Sequence, residues 1–178
     1  AYNPNADVSA NIAPTVTTNN GGSARVGHEC YCLAGFDGSN NTTVIRHVNH
    51  AAQSVVTVPA TASSSRRSGA GTAVGGNAYL AGGYTTARVN AIDRVMHSTQ
   101  TCAALSATLS ASKYGPGAAS CGGAAYFGGG NSGSTTNTID RLMHSTQTCA
   151  ALAATLSTSR DGLTAQAMPT VAFFAGGS

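Results

Sequence analysis

Short apolar runs, broken by glycines and small polar residues, recur along almost the whole chain. Asn77 to Tyr84 reads NAYLAGGY, Ala124 to Asn131 reads AAYFGGGN and Val171 to Ser178 reads VAFFAGGS. Each is a brief aromatic–aliphatic stretch that ends in two or three glycines. Downstream, Ile92, Arg94 and Met96 alternate with Asp93 and Val95. A period of two predicts strand, and the glycine and Ser/Thr/Asn clusters between runs predict turns. The segment Cys102 to Ser110, CAALSATLS, also tolerates helix, with Leu105 and Leu109 four apart. Its degenerate equivalent Val55-Val56-Thr57-Val58 is β-branched, which favours strand. The pattern predicts four short strands per unit and an all-β protein.

The units repeat. Ile92 to Ser110 and Ile139 to Ser157 differ only at Val95/Leu142 and Ser106/Ala153, at an offset of 47 residues. Glu29 to Phe36 (ECYCLAGF) fits at an offset of 48, followed by a degenerate copy in which Ile45-Arg46, His50, Val55, Val58 and Arg66 align with Ile92-Asp93, His97, Cys102, Leu105 and Lys113. The chain therefore reads as one repeat domain over 1–178, with full copies at 22–68, 69–115 and 116–162 and a partial copy at 163–178. The N-terminal stretch 1–21 has no place in these copies. Its Val8, Ile12 and Val16, spaced by polar residues, predict a closing or donated strand segment.

The AYLAGG and AYFGGG segments, an Asp-bearing third strand and a basic residue before the next copy resemble the kelch repeat. Ile92-Asp93 and Ile139-Asp140 stand where that family carries its Tyr-Asp-like pair, and Arg66, Lys113 and Arg160 stand at its basic position. The chain has no Trp, so Leu105, Leu152 or Val58 takes the place of the family's outer-strand anchor. The likeness is greatest to Gly/Ala/Thr-rich arrays of bacterial and phage surface proteins. The resemblance implies a small β-propeller of about four blades. Its last blade would be completed by the N-terminal segment of the same or a neighbouring chain.

Composition narrows the function classes. Apolar residues make up 42% of the 178, enough for one packed core, whereas charged residues make up 8%, against roughly 25% in an average soluble domain. A surface of Ser, Thr, Asn and backbone has little to titrate or screen, which suits an extracellular, cell-surface or virion protein. The net charge of +3 is scattered, with Arg66-Arg67 the single basic pair, so no nucleic-acid footprint is expected. No apolar run reaches the roughly 20 residues of a membrane helix.

Candidate chemistry is sparse. Cys30, Cys32, Cys102, Cys121 and Cys149 align with apolar residues in other copies, which predicts small buried hydrophobes. Cys30 and Cys32, about 7 Å apart on one strand face, are too far for an unstrained bridge. The pair to test is Cys30 or Cys32 with Cys121. No paired C-x-x-C spacing predicts zinc, and His50, His97 and His144, once per copy, are read as turn residues rather than a metal ring. The acids Asp7, Glu29, Asp37, Asp93, Asp140 and Asp161 form no catalytic pair, and the glycine runs precede no helix and so form no phosphate loop. No catalytic residue, metal or cofactor is expected. The turns after the glycine pairs differ between copies, and Phe36, Asp37, Tyr84 and Asn131 in them are the candidate ligand-binding residues. The expectation is a non-enzymatic structural subunit partnered by copies of itself or other structural proteins. The alternative is a glycan- or protein-binding module that takes surface glycans.

Overall fold

The structure is a computed structural model and describes residues 20–178. Apart from Asn20 and Gly21, the expected closing segment 1–21 lies outside the described residues. The described chain is all-β, with fourteen strands in four antiparallel sheets taken in sequence order. The first sheet holds β1 (Gly22–Val26), β2 (Glu29–Phe36), β3 (Asn41–Asn49) and β4 (Ser54–Thr61). The second holds β5 (Ala70–Val74), β6 (Asn77–Ala81), β7 (Ala91–Met96) and β8 (Thr101–Thr108). The third holds β9 (Gly117–Cys121), β10 (Ala124–Gly128), β11 (Thr138–Met143) and β12 (Thr148–Thr155). A fourth has two strands, β13 (Thr164–Ala167) and β14 (Ala172–Ala175). None of the sheets closes on itself. The CAALSATLS segment is strand β8, as its β-branched equivalent in β4 indicated. No helix among the described residues is long and apolar enough to cross a membrane.

Every full sheet is a plain up-and-down meander. The first hairpin of each full sheet turns in two residues beginning with glycine, such as Gly75-Gly76 with φ of 60° and 74°, where side chains other than Gly are strained. The first strands of adjacent sheets run so close that a Cβ on Gly71 would come within 2.5 Å of the Ser23 backbone. That approach explains the Gly/Ala-rich strand at the head of each unit. First-strand residues of all four sheets, among them Ser23, Gly71, Ala118 and Ala165, line a common cavity of about 530 Å³.

The core lies between sheets rather than within one. Tyr31, Leu33, Ile45 and Val58 of the first sheet pack with Ala78, Leu80 and Val95 of the second. Tyr79, Ile92 and Leu109 of the second pack with Ala125, Phe127 and Leu142 of the third. Each fully buried Leu, Ile or Phe here stabilises the fold by about 1.5–3 kcal/mol. The fourth sheet differs: Phe174 lies over Gly128, but Met168, Val171 and Phe173 are exposed.

The cysteines are all free thiols. Cys102 and Cys149 behave as small hydrophobes, their pKa values pushed up to about 12 mainly by burial. Burial also raises Cys32. Cys30 departs from the expectation of a buried thiol and is exposed, because its side chain stands on the face of β2 opposite Tyr31.

Candidate functional site

Two sets of side chains carry the molecule's polar chemistry, one between sheets and one along a rim of loops. The set between sheets occurs twice. Arg66, in the loop leaving the first sheet, is 1% exposed and its Nη2 lies 2.9 Å from Asp93 Oδ2 on β7 of the second. Asp93 also accepts from the Ser63 amide at 2.9 Å, and Arg66 donates to the Leu80 carbonyl at 3.2 Å. Burial lowers the Arg66 pKa, and Asp93 opposes that shift. One repeat later Lys113 Nζ lies 2.8 Å from Asp140 Oδ2, and the Ser110 amide donates to Asp140 Oδ1 at 3.0 Å. The strand pairing slips beside each aspartate, between Ala91 and Asp93 and between Thr138 and Asp140. Such bulges re-aim a side chain.

A second contact accompanies each ion pair at the opposite end of the sheets. The Tyr31 hydroxyl on β2 is 2.6 Å from His97 Nδ1 and accepts from Gln100 Nε2 at 2.9 Å. Tyr79 repeats this with His144 Nδ1 at 2.8 Å and Gln147 at 3.2 Å. The glutamines hold left-handed φ values of 53° and 54°, a strained state for a residue with a Cβ. Each also donates to the carbonyl of its own histidine. His97 and His144 thus clamp the neighbouring sheet, where the sequence suggested local turn contacts, whereas His50 is exposed. A Cβ on Gly75 would overlap the His144 ring, so that turn must be glycine. The first sheet adds Glu29, whose Oε2 is 2.6 Å from His47 Nε2, with His47 stacked on Tyr31 at 5.4 Å. Nothing in the repeat pattern marked His47.

At the other end of the sheets the loops form a rim. Arg67 Cζ lies 5.4 Å from the Phe36 ring centroid and 5.3 Å from that of Tyr84, between the two. Tyr84 meets Tyr114 edge to face at 6.0 Å, and Arg88 Cζ stands 5.6 Å over Tyr114. Asparagines fix the cations: Arg67 donates to Asn41 Oδ1 at 3.3 Å and Arg88 to Asn131 Oδ1 at 3.1 Å. Neither arginine makes an ion pair among the described residues. The row reads Phe36, Arg67, Tyr84, Tyr114, Arg88, Asn131. It offers aromatic faces and guanidinium N–H donors to an acceptor-rich ligand.

Three of the four residues singled out in the sequence, Phe36, Tyr84 and Asn131, belong to this row and are half-buried in it. Asp37 stays apart. It is exposed and caps its own turn by accepting from the Ser39 and Asn40 amides at 2.9 and 2.7 Å, which lower its pKa. Of the row's other three members, Arg88 carried no signal in the repeat, whereas Arg67 and Tyr114 share a position in it. They sit 47 residues apart, each directly after the basic residue of the repeat. Among the described residues no group of three or more His, Cys, Asp or Glu side chains is placed to hold a metal ion. No protein-family model and no curated protein matches the chain.

Proposed function

We propose that this chain is a non-enzymatic structural or assembly subunit of an extracellular fibre, virion or cell-surface layer. In this reading it is built as a kelch-like propeller of about four blades. The observation that carries the reading is the fourth sheet. Two strands expose Met168, Val171 and Phe173 and leave the outer edge of β14 unpaired among the described residues. An open edge pairs readily with an incoming strand, and apolar residues beside it reward the pairing. The segment 1–21, from the same or a neighbouring chain, is the first candidate for that role. A low-charge surface, 8% charged residues, fits an assembly that must persist outside the cell. Light scattering on the intact chain and on one lacking residues 1–21 tests the reading. Polymers that fall to monomers on truncation support strand donation between chains. A monomer at every concentration in both forms sinks the assembly role.

A second reading, a glycan- or protein-binding module, draws on the rim. Two arginines stacked on three aromatic rings suit a ring-shaped ligand with acceptors or acidic groups. Screening against neutral and acidic glycans, with Arg67→Ala beside the parent, separates this reading from a purely structural one.

A further inference from the structure

We propose that the rim row takes an acidic polysaccharide, with Arg67 and Arg88 each receiving one of its carboxylates. The proposal rests on the glycan-binding reading and names the chemistry of the glycan. Its first warrant is an exchange of roles between copies. Arg67 and Tyr114 share one position of the repeat, and Asn41 and Arg88 share another. At the first junction the cation holds the former position, stacked against Phe36 and Tyr84 and fixed by Asn41 Oδ1. At the second it holds the latter, stacked on Tyr114 and fixed by Asn131 Oδ1. Different residues thus build the same group of guanidinium, ring and amide twice. In the clamps, by contrast, Tyr, His and Gln recur at fixed positions. Packing of the rim loops does not call for a second cation, because Tyr84 and Tyr114 already meet edge to face.

The second warrant is charge. In a chain with 8% charged residues, two guanidinium groups flank one pair of rings and make no ion pair among the described residues. Like charges on one short row repel, and an anionic chain laid along it relieves them. Each guanidinium spends one N–H on an asparagine. Arg67 Nε and Nη2 and Arg88 Nη1 have no partner among the described residues, and such donors suit carboxylate oxygens. The third copy carries Thr135 and Asp161 at the two positions, so the cationic row ends at Asn131.

The sparseness of the cations selects among polyanions. Nucleic acids and densely sulfated glycans call for a longer basic track than two arginines. A polyuronate carries one carboxylate per sugar, and its rings have apolar faces that suit the half-buried Tyr84 and Tyr114.

Calorimetric titration of the full chain with trigalacturonate and with its methyl ester tests this. Saturable binding is expected, with the acid about tenfold or more tighter than the ester. Arg67→Gln and Arg88→Gln should each weaken the acid about fivefold, and added salt should weaken it further. Circular dichroism confirms that both variants keep their sheet content. Ester bound as tightly as acid, or acid binding indifferent to both arginines, overturns the proposal and leaves the glycan reading in place. Failure of trigalacturonate and of trimannuronate overturns it too, and failure of every neutral glycan besides takes the glycan reading with it. A heparin fragment or poly-glutamate that binds at least as tightly as either uronate assigns the row to a sulfated glycan or an acidic polypeptide instead.

Discussion

The outer hairpins and the rim loops lie at different places on the same sheets and have diverged to opposite extents. Across the 19 residues of the outer hairpins, the second and third copies differ at two positions. The rim positions after the glycine pairs read Phe36, Tyr84, Asn131 and Ser178 in successive copies. The structure supplies a physical reason. Among the residues kept between these copies are the ones that join one sheet to the next: Asp to the buried base, His and Gln to the buried tyrosine. A change there has to be matched on the neighbouring sheet, whereas a change on the rim meets solvent. Repetition in this chain therefore marks joints, and divergence marks the surface free to acquire a partner.

The largest expected effect breaks a joint. Asp140→Ala leaves Lys113, 1% exposed, without its counter-charge. This should destabilise by about 3–5 kcal/mol, a large part of a domain's total of about 5–15. Urea denaturation followed by circular dichroism reads it. Replacing both partners with apolar residues of similar volume should recover most of the loss. If the single variant loses less than about 1 kcal/mol, the joint is not what holds the sheets together.

Next comes the clamp. Tyr79→Phe keeps the ring's packing and deletes the hydroxyl that meets His144 and Gln147, which should cost about 1–2 kcal/mol. Gln147→Gly relieves a left-handed φ of 54° yet should still destabilise, since the side chain that bridges to Tyr79 is lost. A gain in melting temperature for that variant would mean backbone strain outweighs the clamp.

Alkaline pH gives a smaller, signed effect. Cys102 and Cys149 hold their protons to about 12 in the fold, against an ordinary value of 9.0. Unfolded chains release these protons first as pH rises through 9, so stability falls from there towards 12 and is unaffected below. Cys102→Val with Cys149→Val should flatten that decline in a pH series of denaturation midpoints. An unchanged slope would assign the decline to other groups.

The rim should matter least to stability. Arg88→Ala removes one cation–π contact and a hydrogen bond to Asn131, for about 0.5–1 kcal/mol at this partly exposed place. A loss as large as that of Asp140→Ala would erase the distinction between rim and joint.

The strands and the repeat were legible in the sequence because both show directly in the pattern along the chain: a period of two with glycine turns, and an offset of 47 residues. The basic and acidic joint residues were visible as positions in the repeat. Their partners were not, because each pair lies about half a repeat apart and meets across two sheets. The clamp was hidden for the same reason, since Tyr31 and His97 are 66 residues apart in sequence. On the rim, sequence reading found the aromatic and amide members after the glycines. It passed over Arg67 and Arg88, whose place depends on stacking between loops of different copies.

The most direct test is a pair of double-mutant cycles, Lys113→Ala with Asp140→Ala at a joint and Arg88→Ala with Tyr114→Ala on the rim. The joint should show a coupling above about 2 kcal/mol and the rim pair one below about 1. Additivity at the joint to within about 0.5 kcal/mol, or a rim coupling that exceeds it, would contradict the claim that the repeated residues are what bind the sheets to one another.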